Sequence, residues 1–333
     1  MPSKHWLISR DLRPDCIIVS DKGQDCDLQS LTKGFANPAM SVTIRFNRTI
    51  SWGEISSKKS TSFVLYLNAA CDLASYWVRI RQLIILVRCL AKYSSNIIFA
   101  TCRHPEKAVC LREVANKAYP ERVHIVPLDV TDEVSIKEAA TEIGDRLARV
   151  GPIPGDAGLD YLVQNAAIVS TFGSAHYGDG DNAITLEAES FHEIMTTNVL
   201  GPALVMKHMH RHLKKSFRPV VVNVSSGLAS IAMDLGPHKT SYSISKTALH
   251  MLTYKQAKAC PDMIVLSVHP ASVKTDMGTS EAELEPPYVA AEMIQLLQRV
   301  TLEDSGKFLR YDGELEAWEP RCSWRETWIT TTT

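Results

Sequence analysis

From Asn96 onward two textures alternate along the chain, and that alternation restricts the folds open to it. Short unbroken apolar runs recur at Ile97–Ala100, Val123–Pro127, Tyr161–Gln164, Pro219–Val224, Met263–Val268 and Lys307–Tyr311. Between them lie longer stretches with helical periodicity: Pro105–Ala118, Glu133–Val150, Glu189–Lys215 (interrupted at Gly201-Pro202), Thr240–Ala259 and Pro287–Arg299. A strand with one wet face alternates apolar and polar residues. Unbroken Val/Ile/Leu runs instead mark strands buried on both faces, as in a parallel sheet covered by helices. The spacing therefore predicts a doubly wound, mostly parallel α/β sheet, with ligands at the carboxyl ends of its strands.

The front of the chain reads differently. Residues 1–95 form an atypical N-terminal segment ahead of a domain at 96–318 and a tail at 319–333. Trp6–Ser9 is one candidate for a first strand and Phe63–Asn68 another, and Val78–Tyr93 reads as a helix. With Trp6–Ser9 as the strand, residues 10–77 become an irregular insertion without sustained periodicity, either a retained intron or a divergent insertion.

Composition narrows the function classes. The formal net charge is -1, which gives no electrostatic case for nucleic acid or an anionic membrane. The eight cysteines are scattered and none forms C-x-x-C, so a zinc or redox motif is not expected and a reducing compartment fits. No secretory signal is visible, and the apolar window Leu83–Val87 is too short to span a bilayer. A cytoplasmic protein is expected. His208, His210 and His212 alternate on a helix and point in different directions, so no metal site is expected.

Chemistry-bearing residues stand at the predicted strand ends. Tyr242 and Lys246 are four apart, which on a helix puts both on one face. An ammonium beside a phenol favours its ionised form and suits Tyr242 to general acid/base work; a surface helix is the bland alternative. Ser225-Ser226, after one strand, offers a hydroxyl to polarise a carbonyl or a helix cap. Asp129 can accept from an adenine amino group or cap the next helix. Asn165-Ala166-Ala167 lets a flat ligand approach the backbone, or is a tight turn. Asn198 sits mid-helix, where its propensity is poor. His269–Met277 reads as a loop closing over one end of a ligand.

Taken in order, Asn165-Ala166-Ala167, Asn198, Ser225-Ser226, Tyr242-x-x-x-Lys246 and Pro270-Ala271-Ser272-Val273-Lys274-Thr275-Asp276-Met277 resemble the short-chain dehydrogenase/reductase family over about residues 96–318. The ending Ser305–Leu309, Asp312-Gly313 and Trp318 resembles its C-factor/sniffer-like branch, which includes ketoreductases of polyketide pathways. The resemblance implies a Rossmann-like fold and hydride exchange between a nicotinamide cofactor and a carbonyl or secondary alcohol. It implies Tyr242 as proton donor, Lys246 as its activator and ribose ligand, Ser226 (or Ser225) on the carbonyl, and Asn198 holding a water. Asp129, Asn165 and Ala166 would contact adenosine, and Val273 and Thr275 the nicotinamide amide. Relatives that use NAD carry an acid after the second strand. Here Cys102 stands in its place and Arg103 follows, so NADP(H) is favoured over NAD(H), with a solvated Arg103 as the alternative. The resemblance also implies a homo-dimer or homo-tetramer.

One part of the pattern is missing. The family's Gly-x-x-x-Gly-x-Gly turn lets a pyrophosphate reach a helix N-terminus. No glycine occurs between Gly53 and Gly144. The sequence therefore predicts weak dinucleotide binding, and a catalytically silent Rossmann-like binding module stands as the alternative function.

Overall fold

The structure is a computed structural model that describes residues 61–66, 77–150, 157–169, 181–271 and 284–318. All belong to the unit running from Lys58 to Thr333. Seven parallel strands form one sheet in the order β3-β2-β1-β4-β5-β6-β7. They are β1 (Thr61–Tyr66), β2 (Asn96–Cys102), β3 (Val123–Pro127), β4 (Tyr161–Gln164), β5 (Val220–Val224), β6 (Ile264–His269) and β7 (Phe308–Arg310). Helices α1 (Trp77–Leu90), α2 (Val109–Lys117), α3 (Glu133–Val150), α4 (Ala188–Met195), α5 (Gly201–Leu213), α6 (Thr240–Ala259) and α7 (Pro286–Arg299) connect them.

The unbroken apolar runs do what the sequence predicts. β2, β4 and β5 are buried along their whole length. Successive residues feed opposite faces, as a strand's period of two demands. Leu65, Ile98, Val163, Val222 and Leu266 pack with α1, α2 and α7 on one side. Val64, Phe99, Leu162, Val221 and Val265 pack with α3 and α5 on the other. At roughly 1.5–3 kcal/mol for each large aliphatic or aromatic side chain buried, these two layers supply the dominant favourable term of folding.

The first strand corrects one sequence expectation. Residues 61–66 fall inside the stretch read as an insertion, yet they form an interior strand, between β2 and β4. Phe63 pairs with Ile98 on one side and with Tyr161 on the other. Of the two candidate strands it is the later one that takes this place; Trp6–Ser9 lies outside the described residues. Chain order reverses between β1 and β4, which creates the switch-point crevice where such sheets bind ligands.

The long helix expected over Glu189–Lys215 runs through Gly201-Pro202 by changing its winding. Thr196–Leu200 is a π-helical turn between α4 and α5. Gly201 is needed there, because a Cβ would come within 2.9 Å of the Val130 carbonyl oxygen.

Asp160, at the foot of β4, ties the two halves of the sheet together. It is buried, and its carboxylate accepts from the Ser62 N–H (2.9 Å), the Ser62 hydroxyl (3.1 Å) and the Ser216 hydroxyl. Asp160→Ala strands the buried Ser62 N–H and removes the Ser216 hydroxyl's acceptor, while the Ser62 hydroxyl keeps the Gly158 carbonyl (2.6 Å); it is expected to lower the unfolding free energy by about 1–3 kcal/mol in a urea titration. A loss under about 0.5 kcal/mol, the range of an ordinary surface substitution, would show that the tie contributes nothing.

Candidate active site

Helix α6 carries Tyr242 and Lys246 and packs against β6, with hydrogen bonds to β5 and β6. A buried polar rail sets its position. Gln164 Nε2 donates to Asn223 Oδ1 at 2.8 Å, and Asn223 Nδ2 donates to Thr253 Oγ1 (2.8 Å) and Gln256 Oε1 (3.1 Å). Ser267 Oγ adds a 2.9 Å bond to Thr253 Oγ1. These bonds join β4, β5 and β6 to one face of the helix.

The helix N-terminus is capped from a distance. Lys239, at the cap position, is left-handed (φ 60°) and offers no side-chain cap. Asp181 replaces it: its backbone carbonyl accepts from Thr240 N (3.0 Å), and its carboxylate accepts from Ser241 N (3.0 Å) and Ser241 Oγ (2.8 Å). A carboxylate here satisfies orphan N–H groups and sits at the favourable end of the helix dipole. Tyr242 is the next residue.

Tyr242 and Lys246 are each 2% exposed. The Lys246 ammonium lies 5.6 Å from the Tyr242 ring centroid and donates to the Val224 carbonyl at 2.8 Å. Asn198, on the π-helical turn, is fully buried. Its side chain brackets Ile168, just past β4, accepting from the Ile168 N–H (2.8 Å) and donating to the Ile168 carbonyl (2.9 Å). The same Nδ2 donates to Ser245 Oγ at 3.0 Å, and Ser245 donates to the Tyr242 carbonyl at 2.7 Å.

The two serines part company, as neighbours on an extended chain must. Ser225 is buried, with Oγ 2.6 Å from His250 Nε2. Ser226 is half-buried and extended (φ −157°, ψ 153°), and its hydroxyl accepts from Leu228 N at 3.3 Å, capping the short 3-10 turn Gly227–Ala229. The cap alternative is thus realised at Ser226.

At the other end of the crevice, Asp129 accepts from the N–H (2.9 Å) and hydroxyl (2.7 Å) of Thr131. The carboxylate at the start of α3 is that of Asp132, which accepts from Val134 N at 2.9 Å. Asn165 is half-buried and Ala166 buried just past β4. Arg103 follows β2, and its Nε is enclosed without a hydrogen-bond partner among the described residues. A guanidinium nitrogen left unsatisfied beside the switch point fits a phosphate-bearing ligand. Val273 and Thr275 lie outside the described residues.

Sequence reasoning missed Asp181 and His250, since neither sits in a local motif and both act on groups distant in the chain. His269, whose Nδ1 accepts from Gly227 N at 3.2 Å, was read only as the start of a loop.

Residues 85–285 match the family model described as short chain dehydrogenase. An uncharacterised oxidoreductase of Schizosaccharomyces pombe is 27% identical over 247 residues, covering 68% of this chain and 90% of that protein. The C-signal protein of Myxococcus xanthus is 30% identical over 162 residues, covering 48% of this chain and 93% of its own length. Among solved structures, an NADPH-bound carbonyl reductase from chicken fatty liver superposes with a TM-score of 0.65 at 28% identity, over 78% of this chain and 100% of that one. The fold and the match define a nicotinamide-dependent oxidoreductase that transfers a hydride to or from a carbonyl or alcohol carbon. The chain belongs to the short chain dehydrogenase family. Membership sets aside the silent binding module.

Two enclosed imidazoles give the site a pH signature. Burial, then Lys246 and His269, push His250 down from 6.5 to about 3; burial, then Arg310, push His269 down to about 4. The unfolded chain therefore takes up protons that the folded chain refuses. Stability is full above about pH 6.5 and falls as pH drops through the imidazole range toward those lower values. Urea titrations across this range should show the loss, and His269→Asn should flatten it; equal slopes in both proteins would refute the assignment.

Proposed function

We propose that this chain is an NADPH-dependent carbonyl reductase in which Tyr242 protonates the substrate's carbonyl oxygen. The reading rests on one observation. The buried Lys246 ammonium lies beside the Tyr242 ring and bonds the end of β5, two residues before Ser226. The bound nicotinamide supplies the hydride. Ser226 orients and polarises the carbonyl by donating its hydroxyl proton, while the same oxygen goes on accepting from Leu228 N at 3.3 Å. Lys246 places positive charge by the phenol and holds the nicotinamide ribose. Asn198 holds a water through which Tyr242 recovers its proton from solvent.

Arg103 takes the 2′-phosphate that distinguishes NADPH from NADH, and Asp129, Asn165 and Ala166 line the adenosine end. Three things support this cofactor choice: the absence of an acid after β2, the unpartnered Arg103 Nε, and the NADPH in the chicken relative. Val273 and Thr275 complete the nicotinamide end. Because residues 67–76 after β1 contain no glycine, affinity rests on these side chains more than on a phosphate-cradling turn. The substrate is a small carbonyl compound, and a ketoreductase of secondary metabolism fits the branch resemblance. A cytoplasmic location accords with there being no helix among the described residues long and apolar enough to cross a membrane. Self-association through α6 is supported by Ile244, Met251 and Tyr254, which leave an apolar strip on its outer side.

Tyr242→Phe keeps the ring and removes the proton. It should abolish NADPH-dependent reduction of carbonyl probes such as isatin while leaving NADPH fluorescence titrations within about twofold of wild type. Retained turnover would refute the role of Tyr242, and the absence of NADPH binding by the wild-type chain would refute the cofactor. Arg103→Ala should weaken NADPH by about tenfold or more and leave NADH unchanged. An equal loss for both cofactors would remove Arg103 from the phosphate site.

A further inference from the structure

His250 stands one helical turn beyond Lys246 on α6 and is fully enclosed. Its Nε2 is 2.6 Å from Ser225 Oγ. Its ring lies against Phe308 of β7 (centroids 4.2 Å apart) and Trp318 (4.8 Å). Ser225 is held twice, since its N–H also donates to the Val268 carbonyl at 2.8 Å. On one side of Ser225 is Val224, whose carbonyl receives the Lys246 ammonium; on the other is Ser226. The Trp318 end of the cage reaches the same loop, because the Trp318 carbonyl accepts from Ile231 N at 3.0 Å.

We propose that His250 is a positioning residue of the reaction: by gripping Ser225, it fixes the end of β5 that presents the Val224 carbonyl to Lys246 and the Ser226 hydroxyl to the substrate. The proposal rests on the reading of Tyr242, Lys246 and Ser226 given above. His250 itself touches neither substrate nor cofactor in this account.

Three features support the grip. Both partners are buried, so water does not compete for the bond. The imidazole stays neutral near neutral pH, because burial and the nearby Lys246 and His269 disfavour its charged form. It therefore acts as a fixed clamp. A neutral imidazole has one donor nitrogen and one acceptor. Nδ1 has no partner among the described residues. A buried N–H without an acceptor is the rarer and costlier orphan, which assigns the proton to Nε2 and makes it the donor to Ser225. The leverage is geometric. Catalytic groups need placement within about 0.5 Å, and a 1 Å error costs about a hundredfold in rate. Ser225 is one peptide from each of the two groups that matter.

The test is a double-mutant cycle on the full chain, with NADPH and isatin as probe. His250→Phe and Ser225→Ala should each lower kcat by about tenfold with KM for NADPH little changed, and the double variant should be no worse than the poorer single one. His250→Gln, which keeps an amide donor, should recover part of the loss. Additive losses, or His250→Phe with wild-type kcat, overturn the proposal. So does a lower Tm accompanied by normal kcat, because that is a packing role. Should the wild-type chain reduce no carbonyl probe, the functional reading fails, and the clamp is then judged by heteronuclear NMR of the imidazole. An Nε2–H resonance that is constant from about pH 5 to about pH 8 and moves in Ser225→Ala supports it; one unmoved by Ser225→Ala overturns it.

Discussion

An ammonium that is 2% exposed governs the arrangement around it. Removing such a charge from water costs several kcal/mol unless it is paired or hydrogen-bonded. Lys246 meets that cost with the Val224 carbonyl and the face of Tyr242. The Val224 carbonyl is available only while α6 lies at one height against β5 and β6. The Gln164–Asn223–Thr253–Gln256 rail sets that height, and Asp181 fixes where the helix begins. Asn198 and Ser245 then join the helix to the residue after β4. The polar groups of the site are thus a single connected system anchored to the sheet, with few independent rotamers.

Much of this was legible in the sequence, because it rests on local periodicity. Unbroken apolar runs announced strands buried on two faces, and β2 to β7 lie where they were expected within a residue or two. β1 was harder. Thr61–Tyr66 begins with two hydroxyl residues, follows a stretch without periodicity and precedes ten residues without glycine (67–76), so a shorter run at Trp6–Ser9 competed with it. Pairing to β2 and β4 decides between them, and pairing is a through-space property. The π-helical turn was visible only as an apparent interruption at Gly201-Pro202. A proline's missing N–H can be read from sequence, but how the helix absorbs it cannot.

The candidate site divides in the same way. Tyr242 and Lys246 are on one face because of their spacing, and Asn198 stood out because its residue type is a poor fit to a helix. The choice between Ser225 and Ser226 needed the structure, since only the strand's exit geometry turns one inward to His250 and leaves the other half-open. Asp129 serves its own turn through Thr131, and the helix-cap role falls to Asp132 at the start of α3. Asp181 and His250 left no local signal because their partners are distant in the chain. Toward the cofactor end, Arg103 Nε has no partner among the described residues, and residues 67–76 contain no glycine.

The interior position of β1 has a consequence for how the protein is made. Ser62 and its anchor Asp160 are 98 residues apart, so the first strand leaves the ribosome long before its second neighbour exists. Until β4 emerges, one edge of β1 is a bare row of backbone donors and acceptors, the kind of surface on which chains pair with the wrong partner. The cage around His250 closes later still, when Phe308 and Trp318 emerge. A chain truncated before them could complete the sheet from β3 to β6 and still leave the floor of its reactive centre unsupported. Assembly order therefore makes the arrival of β7 and Trp318 a condition for a closed cage around His250.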